Sequence, residues 1–112
     1  MTETAGLPAI IETYLAAHRV RDVETAISAF AGDASVTDEG STRRGAAEIR
    51  NWLTNAAGGY TYTSELIGIR RIDDDHWIAT HHLEGDFPGG VVDLNYDFTL
   101  REGKIVHLTI AP

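Results

Sequence analysis

The sequence predicts an α+β fold: a cone-shaped, curved antiparallel sheet wrapped around three N-terminal helices, with one pocket. Three observations predict it. From Val91 to Ala111 the chain reads as a hairpin whose first arm alternates strictly: Val92, Leu94, Tyr96, Phe98 and Leu100 against Asp93, Asn95, Asp97, Thr99 and Arg101. A period of two with separated apolar and polar faces is that of a half-buried antiparallel strand. Upstream, three segments repeat apolar residues at helical spacing. Finally, helices come first and long strands after, which segregates the helices to one side of an antiparallel sheet. The twist of long antiparallel strands favours curvature, and curving the sheet around the helices leaves an apolar cavity at the open end.

Taken in order, Pro8 suits the first turn of a helix, where its missing N–H costs nothing. Leu7, Ile10, Ile11, Tyr14, Leu15 and His18 then recur as an apolar stripe. Asp22 can cap a second helix with Val23, Ala26, Ile27 and Phe30 on its buried side, ended by Gly32-Asp33. Ala34 to Asp38 reads as a short strand finishing in a polar loop, EGSTRRG. A third helix is expected over residues 46–57, with Ile49, Trp52, Leu53 and Ala56 on one face and Gly58-Gly59 as its stop. Tyr60 to Ile72 is β-rich, and Asp73-Asp74-Asp75 makes a turn. His76 to Phe87 is the next strand, with Trp77, Ala79, His81, Leu83 and Phe87 sharing one side. Pro88-Gly89-Gly90 leads into the closing hairpin, which turns at Glu102-Gly103. No internal repeat or linker interrupts the chain, so residues 1–112 are expected to form one domain.

Composition narrows the function. The 112 residues are 43% hydrophobic and 23% charged, an ordinary globular balance, with a formal net charge of -8. That charge repels phosphate, so neither nucleic acid nor an anionic membrane surface is an expected partner. There is no cysteine, hence no disulfide, thiolate nucleophile or cysteine-ligated metal. No basic start followed by an apolar segment marks a signal peptide, and no apolar run approaches the roughly 18 residues of a spanning helix. A cytoplasmic location is the expectation. Glycine pairs lack the context of a phosphate loop, and no Gly-x-Ser-x-Gly elbow is present. His81-His82 cannot converge on a metal from one strand, because neighbouring side chains diverge.

The runs IETYL, RDVETAISAFAGDASVTDEG, GAAEIRNWL and DFTLREGKIVHL, spread over nearly the whole chain, resemble the nuclear-transport-factor-2-like superfamily in its SnoaL-like branch. The resemblance implies the cone-shaped α+β fold, a pocket between sheet and helices, and, as often in the superfamily, a homodimer packed through the outer sheet face. Fold alone does not settle function, because the superfamily spans isomerases, polyketide cyclases, dehydratases and adaptors. The nearest site-level similarity is to ketosteroid isomerase. There a first-helix tyrosine donates to the substrate oxyanion, and an aspartate ending the first strand moves the proton. Those positions fall on Tyr14 and Asp38. The isomerase's protonated acid, two residues before a phenylalanine on the penultimate strand, falls on Tyr96, so the donors here would be two tyrosines.

Each candidate has a plainer alternative. Asp38 could abstract a proton next to a carbonyl, or could simply begin a turn at Asp38-Glu39-Gly40. Tyr14 and Tyr96 could donate to an enolate, or could be core tyrosines with one hydroxyl partner. His81, where the resemblance puts an aromatic ring, could be a general acid or base, or a satisfied neutral histidine. His18 is read as a cation at a helix C-terminus. In the last strand either His107 or Leu108 faces inward; a bulge near Val106 buries Leu108 and Ile110 and is preferred.

The expected function is therefore that of a small, cofactor-free pocket protein. As an isomerase-like or cyclase-like enzyme it would transfer a proton on a hydrophobic carbonyl compound. Asp38 would be the base, Tyr14 and Tyr96 the oxyanion donors, and His81 a proton relay, with Ile11, Trp52, Phe98, Leu108 and Ile110 as the substrate-binding wall. The alternative is a non-catalytic module of the same fold that binds a small hydrophobic molecule or dimerises. In both readings the expected partner is a small hydrophobic molecule.

Overall fold

The computed structural model describes residues 7–38, 40–55 and 61–112. Helix α1 spans Ala9–Arg19 and α2 Val23–Ser28, followed by strands β1 (Phe30–Asp38) and β2 (Ser41–Arg44). Helix α3 (Gly45–Asn55) leads to β3 (Tyr62–Asp73), β4 (His76–Gly85), β5 (Val91–Arg101) and β6 (Lys104–Ala111). The strands form one curved, unclosed sheet in the order β2-β1-β6-β5-β4-β3. All neighbours are antiparallel except β1 and β6, which run parallel. The expected α+β cone is the observed architecture.

Local chemistry sets the element ends. Pro8 precedes the first residue of α1, and its carbonyl accepts the Ile11 and Glu12 N–H groups. Asp22 caps α2: Oδ1 accepts the Thr25 N–H at 3.2 Å and Oδ2 the Thr25 hydroxyl at 2.7 Å. At the start of α3, Glu48 reaches back to accept the Arg44 N–H at 2.8 Å. The turn between β5 and β6 places both Glu102 (φ 53°) and Gly103 (φ 78°) in the left-handed region. That is the backbone of a two-residue turn whose twist matches the paired strands.

Several boundaries differ from the sequence reading: β4 ends at Gly85, short of the expected Phe87, and two further differences flank β1. Helix α2 stops at Ser28, and Phe30 already belongs to β1, where it pairs with Ile105. Six residues give α2 little hydrogen-bonding of its own, so long-range pairing captures Phe30. The expected polar loop contains β2, in which Ser41, Thr42, Arg43 and Arg44 pair with Asp38, Thr37, Val36 and Ser35. A short edge strand with polar side chains carries no apolar alternation to announce it. The expected third-helix stop at Ala56 to Gly59, with Tyr60, lies outside the described residues, as does Glu39.

The core lies between the concave sheet face and the helices. Ile11, Tyr14, Val36, Ile49, Phe98, Ile105 and Leu108 are its large, fully buried side chains. The bulge is present: Phe98 pairs with Leu108 and Thr99 with His107, but Leu100 pairs with Ile105, leaving Val106 as the extra residue. Leu108 and Ile110 thereby face inward. His107 is half-buried on the other face, between the Ser35 hydroxyl at 2.7 Å and the Thr109 hydroxyl at 2.9 Å. That outer face is polar. His82 bridges Asp93 at 2.6 Å and Glu84 at 2.8 Å, the Thr80 hydroxyl donates to Asn95, and His76 lies 2.5 Å from Asp97.

Two substitutions test this account. A Cβ at Gly85 would lie 2.4 Å from the Thr61 carbonyl oxygen and 2.4 Å from the Tyr62 Cβ. Gly85→Ala should therefore lower unfolding stability by about 1–3 kcal/mol in urea titration. Glu102 occupies a left-handed position that asparagine tolerates better. Glu102→Asn should raise stability by about 0.5 kcal/mol in the same measurement.

Candidate functional site

Helix α1 delivers two site residues from one face. Tyr14 and His18 are four residues apart, so their side chains stack along the helix; the rings are nearly parallel with centroids 5.7 Å apart. His18 also lies nearly parallel to Trp52 of α3, at 6.5 Å, and meets Tyr96 of β5 edge-on at 6.4 Å. The Tyr14 ring packs edge-to-face on Phe30 and Phe98, at 5.4 and 5.8 Å. In β4, His81 stands diagonally across from Tyr96, with ring centroids 4.9 Å apart.

Asp38 ends β1, half-buried beside Ile110. Its Oδ2 accepts the Trp52 indole N–H at 3.0 Å, and its carbonyl accepts the Arg43 guanidinium at 3.4 Å. Trp52, expected as plain apolar wall, is thus also the donor that orients the carboxylate. The indole tethers Asp38 to α3, and the aromatic stack ties α3 to α1.

A cavity of about 470 Å³ opens beside these rings, within the range of small-molecule sites. Its wall includes His18, Arg19, Arg21 and Glu12 from α1 and the turn after it. Opposite stand Tyr62, Ser64 and Leu66 of β3, His81 of β4 and Tyr96 of β5. Of the expected catalytic residues, His81 and Tyr96 line the cavity directly. Tyr14 and Asp38 do not; they lie in a second layer with Trp52, next to His18. Ile11, Phe98, Leu108 and Ile110 sit in the packed core and are not cavity-lining residues.

Burial tunes these groups. It holds the Tyr14 phenol well above its ordinary pKa, with smaller contributions from Tyr96, Asp38 and Tyr62, and it raises that of Tyr96. Both hydroxyls are therefore protonated donors at neutral pH. Burial, aided by the Arg19 charge and the neighbouring His18, pushes His81 down to about 4. Burial and the Arg21 charge lower His18 as well, against an opposing pull from Asp38. His18 is thus a half-buried, neutral imidazole rather than the helix-end cation expected from its position. The Tyr14 hydroxyl and His81 Nδ1 are buried and have no hydrogen-bond partner among the described residues, which is costly unless a ligand or solvent completes them.

His18 is the residue that the sequence reading missed. A signal existed, because it continues the apolar stripe one turn beyond Tyr14. Among the described residues, no group of three or more His, Asp or Glu side chains is arranged to hold a metal ion. None of the described helices is long and apolar enough to cross a membrane.

No family model and no curated protein matches the sequence. Solved structures do. A candidate polyketide cyclase from Sinorhizobium meliloti is 32% identical over 98% of this chain and 100% of its own, with a TM-score of 0.89. A protein with a ketosteroid isomerase-like fold from Catenulispora acidiphila, in complex with trimethylamine, is 19% identical over 94% of this chain and 85% of its own, with a TM-score of 0.79. A nuclear-transport-factor-2-like protein from Cytophaga hutchinsonii is 10% identical over 98% and 93%, with a TM-score of 0.74. The last two share the fold alone. At the identity and coverage of the first, the chain belongs to the nuclear-transport-factor-2-like superfamily, in its SnoaL-like branch.

Proposed function

We propose that the cavity binds a hydrophobic carbonyl compound and moves a proton on it without a cofactor, as in isomerisation, aldol cyclisation or dehydration. The observation that carries this reading is the Tyr14 hydroxyl, fully buried and unpartnered among the described residues, in electrostatic contact with Tyr96 and Asp38. A preorganised phenol in a dry site has its largest effect where negative charge develops. The similarity to the candidate cyclase from Sinorhizobium meliloti supports carbonyl chemistry of this kind.

In this scheme the substrate carbonyl oxygen accepts a hydrogen bond from Tyr96 on the cavity wall, with Tyr14 behind it. A carbon-bound proton next to that carbonyl passes to His18, a neutral imidazole able to accept it. The electron pair moves onto oxygen as an enolate held by the phenol. Asp38, fixed by the Trp52 indole, favours the imidazolium by its charge. His81 remains neutral at pH 7 and holds the substrate by hydrogen bonding. The proton then returns to another carbon, or to a departing hydroxyl.

A second reading, a ligand-binding module without catalysis, is favoured by one observation: neither Tyr14 nor Asp38 lines the cavity. Phenolate ligands separate the two, because a fused-ring phenol imitates an enolate. 2-Naphthol should bind the wild type with its ionisation shifted towards phenolate, read by absorbance and fluorescence. Tyr96→Phe should weaken binding by about tenfold, the worth of one hydrogen bond to a charged acceptor, and Tyr14→Phe, behind the cavity wall, by less. Equal binding in all three proteins would leave a plain apolar pocket.

The neutral state of His81 has its own test. In the folded chain it should titrate near pH 4 by histidine NMR, against an ordinary 6.5. Because the unfolded chain takes up this proton first, His81 contributes stability above pH 6.5 that is lost as pH falls towards 4. His81→Gln should make the acid decline in stability shallower over that window. A folded-state midpoint near 6.5 would contradict the buried, neutral imidazole.

A further inference from the structure

We infer that the ligand of this cavity carries a carboxylate, held at the mouth by Arg19 and Arg21. This rests on the proposed pocket function and specifies its substrate class: a hydrophobic carbonyl compound with an acidic group at the end remote from Tyr96.

Arginine usage in the chain carries the argument. Arg50 pairs with Glu24, Arg71 with Asp74 and Arg101 with Asp33, while Arg43 is spent on the Asp38 and Ser41 carbonyls. Arg44 and Arg70 have no side-chain partner among the described residues, but neither lines the cavity. Lys104 donates to the Ser28 carbonyl at 2.8 Å. The side chains of Arg19 and Arg21 make no hydrogen bond or ion pair among the described residues, and both line the cavity. A protein with net charge -8 repels anions at long range. Its cavity wall differs in sign, because Arg19 and Arg21 face a single carboxylate there, Glu12. Two guanidiniums against one carboxylate leave the wall positive while His18 and His81 are neutral.

Position supports the same conclusion. Both arginines share the cavity wall with His18 and His81, and the charge of Arg19 lowers the pKa of His81 as that of Arg21 lowers that of His18. Arg21 adopts a left-handed backbone (φ 60°) that closes α1, its N–H on the His18 carbonyl and the Asp22 N–H on the Ala17 carbonyl, so the helix end fixes where its side chain starts. Facing the arginines across the cavity are Thr61, Tyr62 and Ser64, whose hydroxyls add hydrogen-bonding capacity. Guanidinium forks suit carboxylate geometry, and the bond is charge-assisted. A carboxylate at the mouth would orient the ring system so that its far end reaches Tyr96 and His18.

The experiment compares 2-naphthol with 6-hydroxy-2-naphthoate by calorimetry, on the wild type, Arg19→Gln and the double variant Arg19→Gln/Arg21→Asn. Asparagine is used because it tolerates the left-handed backbone. The naphthoate should bind the wild type at least about tenfold more tightly than the naphthol at low salt. That advantage should shrink in Arg19→Gln, vanish in the double variant, and weaken as salt is added. Naphthol affinity should stay unchanged in both variants, which also reports that they are folded. Equal affinities in the wild type, or an advantage that survives the double variant, would overturn the inference while leaving the pocket reading intact. No binding of either ligand would overturn both.

Discussion

The parallel pairing of β1 with β6 is the constraint on which the rest of the structure depends. Parallel neighbours cannot be joined by a hairpin and need a long crossover. Here the crossover contains β2, α3 and the meander β3 to β5. Because the first and last strands meet inside the sheet, everything between them must wrap outwards, and the sheet curves as it does so. The pairing also sets Asp38 beside Ile110, at the end of the strand and the edge of the core. From the crossover, α3 reaches back with Trp52 to hold that carboxylate at 3.0 Å. One pairing thus fixes both the cone and the position of its best-oriented acidic group.

Much of this was legible in the sequence, for physical reasons. Alternation in Val92 to Leu100 left one choice of inward face, and the bulge at Val106 followed from preferring Leu108 and Ile110 over His107 and Thr109 in the core. Asp22 announced α2 through its side chain. What escaped was information that no local window holds. Phe30 looks helical until Ile105 supplies a strand partner, and Ser41 to Arg44 look like loop until β1 supplies an edge. Parallel pairing leaves no mark of its own in either strand.

The site divides along the same line. Tyr14, Asp38, His81 and Tyr96 could be named from their faces and from resemblance, and the fold gathers them around one cluster of rings. Their layering could not be read. Whether a side chain touches the cavity or stands behind another depends on ring geometry across two helices and four strands. His18 shows the difficulty: its place at a helix end suggests a solvated cation, yet Tyr14, Trp52 and Tyr96 enclose its ring. Burial then outweighs the helix-end field, and a residue expected to be charged becomes a neutral one. Trp52 shows the converse, because an indole counted as apolar wall also spends its single N–H on a carboxylate.

The open sheet has a further consequence at its margins. An uncovered strand edge is a template for pairing with another chain. One margin is β2, only four residues long and carrying Arg43 and Arg44. The other is the long β3, whose ladder with β4 skips a residue twice, at Ile67 and at Ile72. Those two isoleucines are among the few large apolar side chains left exposed, so the kinks fall where the margin is stickiest. Arg70 and Arg71 lie between them. A strand approaching from another copy would meet an interrupted row of backbone donors at β3, and arginine against arginine if it presented either margin. The same openness that leaves room for a cavity is thereby kept from becoming a route to aggregation.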